Sequence, residues 1–163
     1  MLKSLLKPNV ESILNDAISE ELHASHLYRH LSAQCQRLGL FGASKYFKSE
    51  SADELEHYQF IVDYINDRGS VAKTPDIASV TDKVNTLESA LTIAYNKELS
   101  LGIKYDEWYE QIEDEDPTTA RFLLQFLEVQ QRSIGEYGDL LARLKLADNE
   151  GAGILIIDKE MGG

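Results

Sequence analysis

A glutamate and a histidine three residues apart, Glu54 and His57, are the first residues whose types and spacing could bind a metal ion. Because positions i and i+3 lie on one face of a helix, both side chains can reach the same ion. A Glu-x-x-His match alone is a weak signal, since charged helices produce it often by chance. How strongly the match indicates a metal site depends on which residues of the other helices lie opposite Glu54 and His57.

Four long segments carry apolar residues at alternating steps of three and four, which is the pattern of helices packed side by side. Their predicted bounds are about 9–38, 41–67, 85–113 and 116–147. Pro8, Pro75 and Pro117 all lie where this helical pattern stops. Asn9 is predicted to cap the first helix and Asp116 the fourth, with Pro117 at the first helical position.

The connections between these segments predict how the helices are arranged. Short connections join the first helix to the second and the third to the fourth, which predicts two antiparallel hairpins. Segment 69–84 is longer and predicts a crossover between the hairpins. The apolar tail at 154–157 cannot bury itself alone, so we predict a short fifth helix at about 152–162, docked on the bundle or on another subunit. The expected fold is all-α, with a single domain over residues 1–163 and a bundle at about 9–147.

Each of the four apolar stripes is interrupted by polar residues near the middle of its helix. The interrupting residues are Glu21 on the first helix, Glu54 and His57 on the second, Glu98 on the third and Gln130 on the fourth. Mid-helix positions of neighbouring helices share one layer of the core, so these side chains are predicted to converge. Three ionised carboxylates cannot lie in an apolar layer without a counter-charge. No stripe supplies Lys or Arg there, so a metal ion is the predicted compensation.

The ligand types indicate which metal this layer would bind. Oxygen-rich ligands with one imidazole suit iron or manganese better than structural zinc, which prefers thiolates or several histidines. A lone glutamate in such a stripe is more often a surface residue assigned to the wrong face, and a lone histidine is more often a hydrogen-bonded core residue. It is much rarer for polar residues to interrupt the apolar stripes of three helices at the same height by chance.

Composition excludes several classes of function. The net charge of −12 repels phosphate backbones and anionic lipid, which argues against nucleic-acid and membrane partners. The single cysteine, Cys35, excludes an intramolecular disulfide and fits a reducing compartment. No apolar run approaches the ~20 residues that a membrane span requires. We therefore expect a cytoplasmic protein.

The segments around the polar layer resemble the motifs of ferritins, and the likeness covers nearly the whole chain. Residues 21–28 and 53–57 are similar to the first- and second-helix motifs, and residues 156–161 are similar to the tail of prokaryotic non-haem ferritins. The resemblance implies a ferritin-like four-helix bundle with a long crossover between helices 2 and 3 and a short fifth helix. It also implies iron storage with ferroxidase activity, in which Fe(II) is oxidised by O2 or H2O2 and stored in a 24-subunit homo-oligomeric cage.

The resemblance assigns ligand roles position by position. The first of two irons would be held by Glu21, Glu54 and His57. Glu54 would bridge to a second iron held by Glu98, with Gln130 nearby as a weak or water-mediated contact.

Four further features have a counterpart in the family or a possible role in iron transport. Tyr28 would hydrogen-bond a ligand and could supply an electron, although a packed core tyrosine explains it equally well. Asp53 and Glu56 match acidic positions that help move or nucleate iron, and simple solvation explains them equally well. The acidic run 113–116 could line an iron channel, but a solvated loop with Asp116 as a helix cap is the more common arrangement.

The fourth helix departs from the pattern of related di-iron proteins. Bacterioferritins and rubrerythrins repeat Glu-x-x-His there, whereas residues 130–134 contain no carboxylate, which predicts a weaker and more labile second metal. Many bacterial ferritins build a third iron site from fourth-helix glutamates. Val129, Arg132 and Ser133 stand near those places, so we expect that site to be absent or altered.

Four other classes of protein fit the sequence less well than a non-haem storage ferritin. The only methionines are Met1 and Met161, so none lies in mid-bundle to ligate haem, which argues against bacterioferritin. A DNA-protecting mini-ferritin would place its site between subunits and often carry a basic tail. A di-iron oxidoreductase would usually show carboxylates on all four helices, and Gln130 counts against it. A purely structural bundle would lack the buried acidic layer.

Overall fold

The computed structural model describes residues 3–163, which form five α-helices and no β-strand. The helices are α1 (Pro8–Arg37), α2 (Phe41–Asp67), α3 (Leu87–Ile112), α4 (Pro117–Ala147) and α5 (Gly151–Met161). The predicted all-α class, with four long helices and a short fifth one, is confirmed. Residues 1 and 2 belong to the predicted domain but lie outside the described residues.

The long crossover follows α1 from one end to the other. The backbone N–H of Lys73 donates to Asn15 Oδ1 at 2.7 Å near the start of α1, and Arg37 Nη2 donates to the Val84 carbonyl at 3.0 Å at its end. Helix α3 therefore begins beside the C-terminal end of α1 and runs parallel to α2. With α1 packed on α2 and α3 packed on α4, this gives an up-down-down-up bundle.

The predicted N-cap of α1 is wrong by two positions. Helix α1 begins at Pro8, and Lys7 holds the capping position without a side-chain hydrogen bond, so Asn9 lies inside the helix. Proline is favoured at the first helical position because its missing N–H would have had no partner there. The predicted cap of α4 is present, since Asp116 accepts a hydrogen bond from the Thr119 backbone N–H at 3.0 Å.

Helix α5 supplies the N-terminal cap that α2 lacks. The Asp158 carboxylate accepts hydrogen bonds from the backbone N–H groups of Ala43, at 2.7 Å, and Gly42, at 3.1 Å. A carboxylate at this end also complements the positive end of the helix dipole. Glycine is required at position 42, because a Cβ there would lie 1.7 Å from the Asp158 carbonyl oxygen.

Only part of the apolar tail is buried when α5 docks on the bundle. Ile157 and Met161 are buried, whereas Leu155 and Ile156 remain 59% and 57% exposed. One face of α5 therefore docks on the bundle of the same chain, which is one of the two predicted docking places. The other face stays apolar and exposed.

Candidate metal centre

Five polar side chains lie in the interior of the bundle at mid-helix positions. Four of them are at most 2% exposed and His57 is partly buried; the four are Glu21, Glu54, Glu98 and Gln130. Each comes from a different helix among α1–α4, apart from the pair on α2. The burial of three carboxylates in an apolar core is the feature that a function has to explain.

Glu21, Glu54 and His57 form a compact cluster of potential ligands. One ligand atom from each lies within 4.8 Å of the other two. His57 Nδ1 is 3.1 Å from Glu54 Oε2 and 3.6 Å from Glu21 Oε2. Glu54 and His57 share one face of α2, as their spacing predicts, and Glu21 meets them from α1. A single cation between these three groups would contact all of them.

In the metal-free protein, bound protons reduce the negative charge of the Glu21–Glu54–His57 cluster. Burial raises the pKa of Glu54 well above its ordinary value, and repulsion by the Glu21 carboxylate raises it further. Burial opposes ionisation of Glu21 too, but its interactions with the neighbouring Glu54 and His57 side chains hold its pKa below the ordinary value. Burial also opposes a charge on His57, yet the two carboxylates raise its pKa to about 10. These shifts favour a charged carboxylate on Glu21, a proton on Glu54 and a charged imidazolium on His57.

This arrangement corrects one step of the sequence argument. Neither Lys nor Arg balances the buried charge, but the two carboxylates raise the pKa of His57 to about 10, which favours its cationic form. A metal is therefore one way to neutralise the layer, and protonation is the other. Because metals bind deprotonated ligands, a cation that enters must displace the protons of Glu54 and His57.

Glu98 and Gln130 lie outside the compact cluster, and the charges of Glu21 and His57 act on Glu98. The pKa of Glu98 is raised to about 7, because burial and the charge of Glu21 raise it by more than a hydrogen bond from Tyr28 lowers it. That bond is donated by Tyr28 Oη to Glu98 Oε1. Gln130 approaches α3 closely, since a Cβ on Gly102 would lie 3.9 Å from the Gln130 Cβ.

Three buried oxygens of this layer accept no hydrogen bond: Glu21 Oε2, Glu98 Oε2 and Gln130 Oε1. Buried acceptors without a partner are rare in native proteins, so each one needs an explanation. Each of the three belongs to a predicted metal ligand. Together with the rest of the layer they offer three carboxylates, one imidazole and one amide oxygen, a donor set that fits iron.

Two contributors to the site were missed by the sequence analysis. Tyr105 Oη donates to Glu21 Oε1 at 2.5 Å, and the Phe126 ring packs edge-on against His57 with centroids 5.9 Å apart. Tyr105 lies seven residues after Glu98, and this spacing could have indicated that it faces the same layer. Phe126 is followed by Leu127, and apolar spacing alone does not show which of the two is the more buried.

The predicted accessory residues lie on the surface. Asp53 and Glu56 are exposed on α2, and residues 113–116 form the corner between α3 and α4, where only Asp116 is partly buried. Asp116 is engaged as the cap of α4, consistent with the structural explanation of that acidic run. The transport roles of these residues stay predictions.

A crossover-connected four-helix bundle with an inward-facing Glu-x-x-His pair and further carboxylates is the architecture of ferritin-like metal proteins. Residues 11–147 match the ferritin-like domain family. The chain therefore belongs to the ferritin family, and the predicted resemblance is confirmed. Its membership and fold support iron storage. Within the described residues, no helix is both long enough and apolar enough to cross a membrane.

Individual relatives cover almost the full chain. A probable bacterial non-heme ferritin-like protein of Haemophilus influenzae is 28% identical over 159 residues, covering 97% of this chain and 96% of the relative. A ferritin of Pacifastacus leniusculus is 33% identical over 91% of this chain and 84% of the relative. An open pore ferritin from Archaeoglobus fulgidus superimposes with a TM-score of 0.93 over 96% of this chain and 98% of that one. At 22% identity this last likeness supports the fold alone.

Proposed function

We propose that this chain is a prokaryotic-type ferritin with ferroxidase activity, which oxidises Fe(II) in the mid-bundle layer and stores the ferric product. The observation that carries the proposal is the set of buried carboxylate oxygens around the Glu21–Glu54–His57 cluster, two of which accept no hydrogen bond. Cations are the partners that such oxygens lack.

Two Fe(II) ions bind as substrates at neighbouring positions. Glu21, Glu54 and His57 hold the first ion, and Glu54 extends to the second. Glu98 holds the second ion, with Gln130 as a neutral contact. Loading the first position releases the protons that Glu54 and His57 carry in the metal-free protein.

The oxidation step transfers one electron from each iron. Two Fe(II) ions reduce O2 with two protons to H2O2, or reduce H2O2 to two hydroxide ions, and both irons leave as Fe(III). Anionic oxygen ligands favour this direction because the harder, more highly charged ion gains more from them. Tyr28 holds one oxygen of Glu98 by its hydrogen bond, which leaves the other oxygen free for iron.

The two positions differ in how strongly they retain iron. Gln130 contributes no charge, so the second position has fewer anionic ligands than the first. Weak retention there favours transfer of the product to a mineral store.

We propose that storage takes place in the cytoplasm, inside a homo-oligomeric cage of 24 subunits. Relatives named bacterial non-heme ferritin support this assembly, and the exposed apolar face of α5, with Leu155 and Ile156, supports a partner surface there. Sedimentation of the purified protein tests the assembly, and a monomer or dimer in solution would refute the cage.

Aerobic addition of Fe(II), followed by ferric absorbance and then particle sizing, tests oxidation, retention and assembly together. The parent should oxidise iron and carry it in a large particle. Glu54→Ala and His57→Ala should oxidise it far more slowly, whereas Asp63→Ala removes an exposed carboxylate from the same helix and should leave the rate unchanged. If the two site variants match the parent, the site assignment is wrong.

A further inference from the structure

A groove between α3 and α4 leads from the surface to Gln130. It encloses a cavity of about 340 Å³, whose lining includes Gly102, Asp106, Glu128 and Gln130 between the apolar side chains of Leu127 and Ile134. Asp106 and Glu128 are exposed at its rim, one on each helix, and Gln130 is buried within it. No lysine or arginine is among the residues that line it.

Gly102, near the centre of α3, is one of the residues that line the groove. Glycine is among the poorest helix formers, yet Gly102 lies in the middle of a 26-residue helix. A Cβ at this position would lie 3.5 Å from Ile134 Cδ1, which is ordinary contact, so only a larger side chain would fill the space. Glu98, Gly102 and Asp106 follow one another at steps of four on one face of α3. The glycine therefore leaves a gap between an exposed carboxylate and a buried one.

The inner end of the groove has an unpaired acceptor. Gln130 is 2% exposed, lines the cavity, and its Oε1 accepts no hydrogen bond. Glu98 Oε2, one helical turn from Gly102, is equally without a partner. An oxygen acceptor that is buried at the end of an acid-rimmed groove suits a cation, because a cation would satisfy it.

The neighbouring groove between α1 and α3 is lined by acidic and basic residues together. Glu20 is bound there by Lys97, at 2.9 Å, and by Lys104. Asp16 and Glu107 also line that groove. Of the two grooves beside α3, the α3–α4 groove therefore has carboxylates but no ammonium group in its lining.

We propose that the α3–α4 groove binds a hydrated divalent cation in transit and delivers it to the Glu98 position. Asp106 and Glu128 attract the cation to the rim, Gly102 leaves room for it, and Gln130 Oε1 contacts it inside. The identity of the cation as Fe(II) rests on the proposed function, but the binding step does not. Charged clefts of this kind raise association rates about 10-fold or more at low ionic strength.

Stopped-flow addition of Co(II) without oxygen tests the groove independently of oxidation. Trp108 is the only tryptophan, and its ring contacts Tyr105, whose hydroxyl is bound to Glu21, so quenching of its fluorescence reports arrival of Co(II) at the site. Neutralising the rim with Asp106→Asn and Glu128→Gln together should slow quenching about 10-fold and flatten its salt dependence. The number of Co(II) ions bound at equilibrium should stay the same.

Matched controls separate the groove from general effects of charge and folding. Glu107→Gln with Asp139→Asn makes the same change in charge on the same two helices outside the groove, and should leave the rate unchanged. Gly102→Leu should slow arrival, whereas Gly102→Ala should not, and both replacements favour the helix. Circular dichroism checks that each variant is folded.

Equal arrival rates in the rim variant, the Gly102→Leu variant and their controls would overturn the proposal. A loss of rate in Asp53→Asn with Glu56→Gln instead would place the route across α2 and would also overturn it. If Co(II) arrival depends on the groove but the parent does not oxidise Fe(II) in air, the ferroxidase proposal fails and the transit site stands.

Discussion

Glu21, Glu54 and His57 bring their ligand atoms within 4.8 Å of one another, whereas Glu98 and Gln130 stand apart, each with a buried oxygen that accepts no hydrogen bond. The first group satisfies most of its own charge with protons and internal hydrogen bonds. The second group relies on one donated bond from Tyr28. At the first position a metal thus finds one oxygen without a partner, Glu21 Oε2, and competes with protons for the other ligands, whereas at the second position both Glu98 Oε2 and Gln130 Oε1 lack a partner.

The largest difference between the two positions should appear when one ligand is removed from each. Glu54→Gln should lower the rate of Fe(II) oxidation about 1,000-fold or more, because loss of a direct ligand exceeds the 10–100-fold typical of outer contacts. Gln130→Ala removes only a neutral contact and should lower the rate less than about 10-fold. Initial rates under air-saturated conditions measure both.

A result in which Gln130→Ala is as damaging as Glu54→Gln would break the distinction between a strong and a weak position. Thermal unfolding of both metal-free variants serves as the control for folding. Glu54→Gln keeps the shape of the side chain, so a loss of activity there reports the charge and the ligand atom rather than the packing.

The pH dependence of metal binding should separate the positions next. The first metal displaces protons from Glu54 and His57, so its affinity should fall by up to about 100-fold for each pH unit below neutrality. The second metal competes with a single proton on Glu98, whose pKa is about 7, so its affinity should fall at most about 10-fold per unit below pH 7. Anaerobic Co(II) titrations with a pH indicator measure affinity and proton release together. Release of fewer than one proton with the first metal at pH 7 would contradict the assigned protonation.

The same groups predict how the stability of the metal-free protein changes with pH. The pKa of His57 is raised from 6.5 to about 10, so the stability it contributes is complete below pH 6.5 and is lost as the pH rises through 10. The pKa of Glu98 is raised from 4.5 to about 7, so its ionisation destabilises the fold as the pH rises across that interval. The free energy of unfolding should therefore decrease from pH 5 to pH 10. Denaturant unfolding at several pH values checks it, and a steady increase would contradict it.

Adding charge to the second position should make the two positions more alike. Gln130→Glu should raise the affinity for the second metal about 10-fold, since a hydrogen bond or contact to a charged group is worth roughly 1.5–3 kcal/mol. It should also slow release of the product. Without metal the variant should be less stable, because it buries another carboxylate beside Glu98. Two-site metal titrations measure the change, and Gln125→Glu, exposed on the same helix outside the α3–α4 groove, is the matched control.

The smallest effects are expected from the two tyrosines that each serve one position. Tyr105→Phe removes the donor to Glu21 and Tyr28→Phe removes the donor to Glu98. Each should lower the free energy of unfolding of the metal-free protein by about 1–3 kcal/mol, because a buried acceptor loses its partner. Tyr105→Phe should weaken binding of the first metal, and Tyr28→Phe should weaken binding of the second. Equal effects of both variants on both metals would show that the positions act as one unit.

The sequence predicts the elements of this protein better than the state of its site. Apolar periodicity predicts α2 and α4 to the residue, and polar gaps in the stripes identify the buried layer. The N-cap of α1 was missed by two residues because proline and asparagine both signal a helix start, and only backbone geometry decides between them. The charge on His57 could not be predicted, since it depends on two carboxylates meeting one imidazole in three dimensions. The groove at Gly102 could not be predicted from the sequence either. It also depends on Ile134 and Gln130, which lie on another helix.

Asp158 joins the last helix of the chain to the first turn of the helix that carries Glu54 and His57. Since α2 has no cap of its own, a chain that ends before Asp158 leaves the amides of Gly42 and Ala43 without a carboxylate partner, a loss of about 1 kcal/mol for that helix. The same cut uncovers the surface under Ile157 and Met161. The C-terminal residues thus stabilise α2, the helix that carries Glu54 and His57. Movement of α5 away from Gly42 would remove the cap and destabilise the first turn of α2.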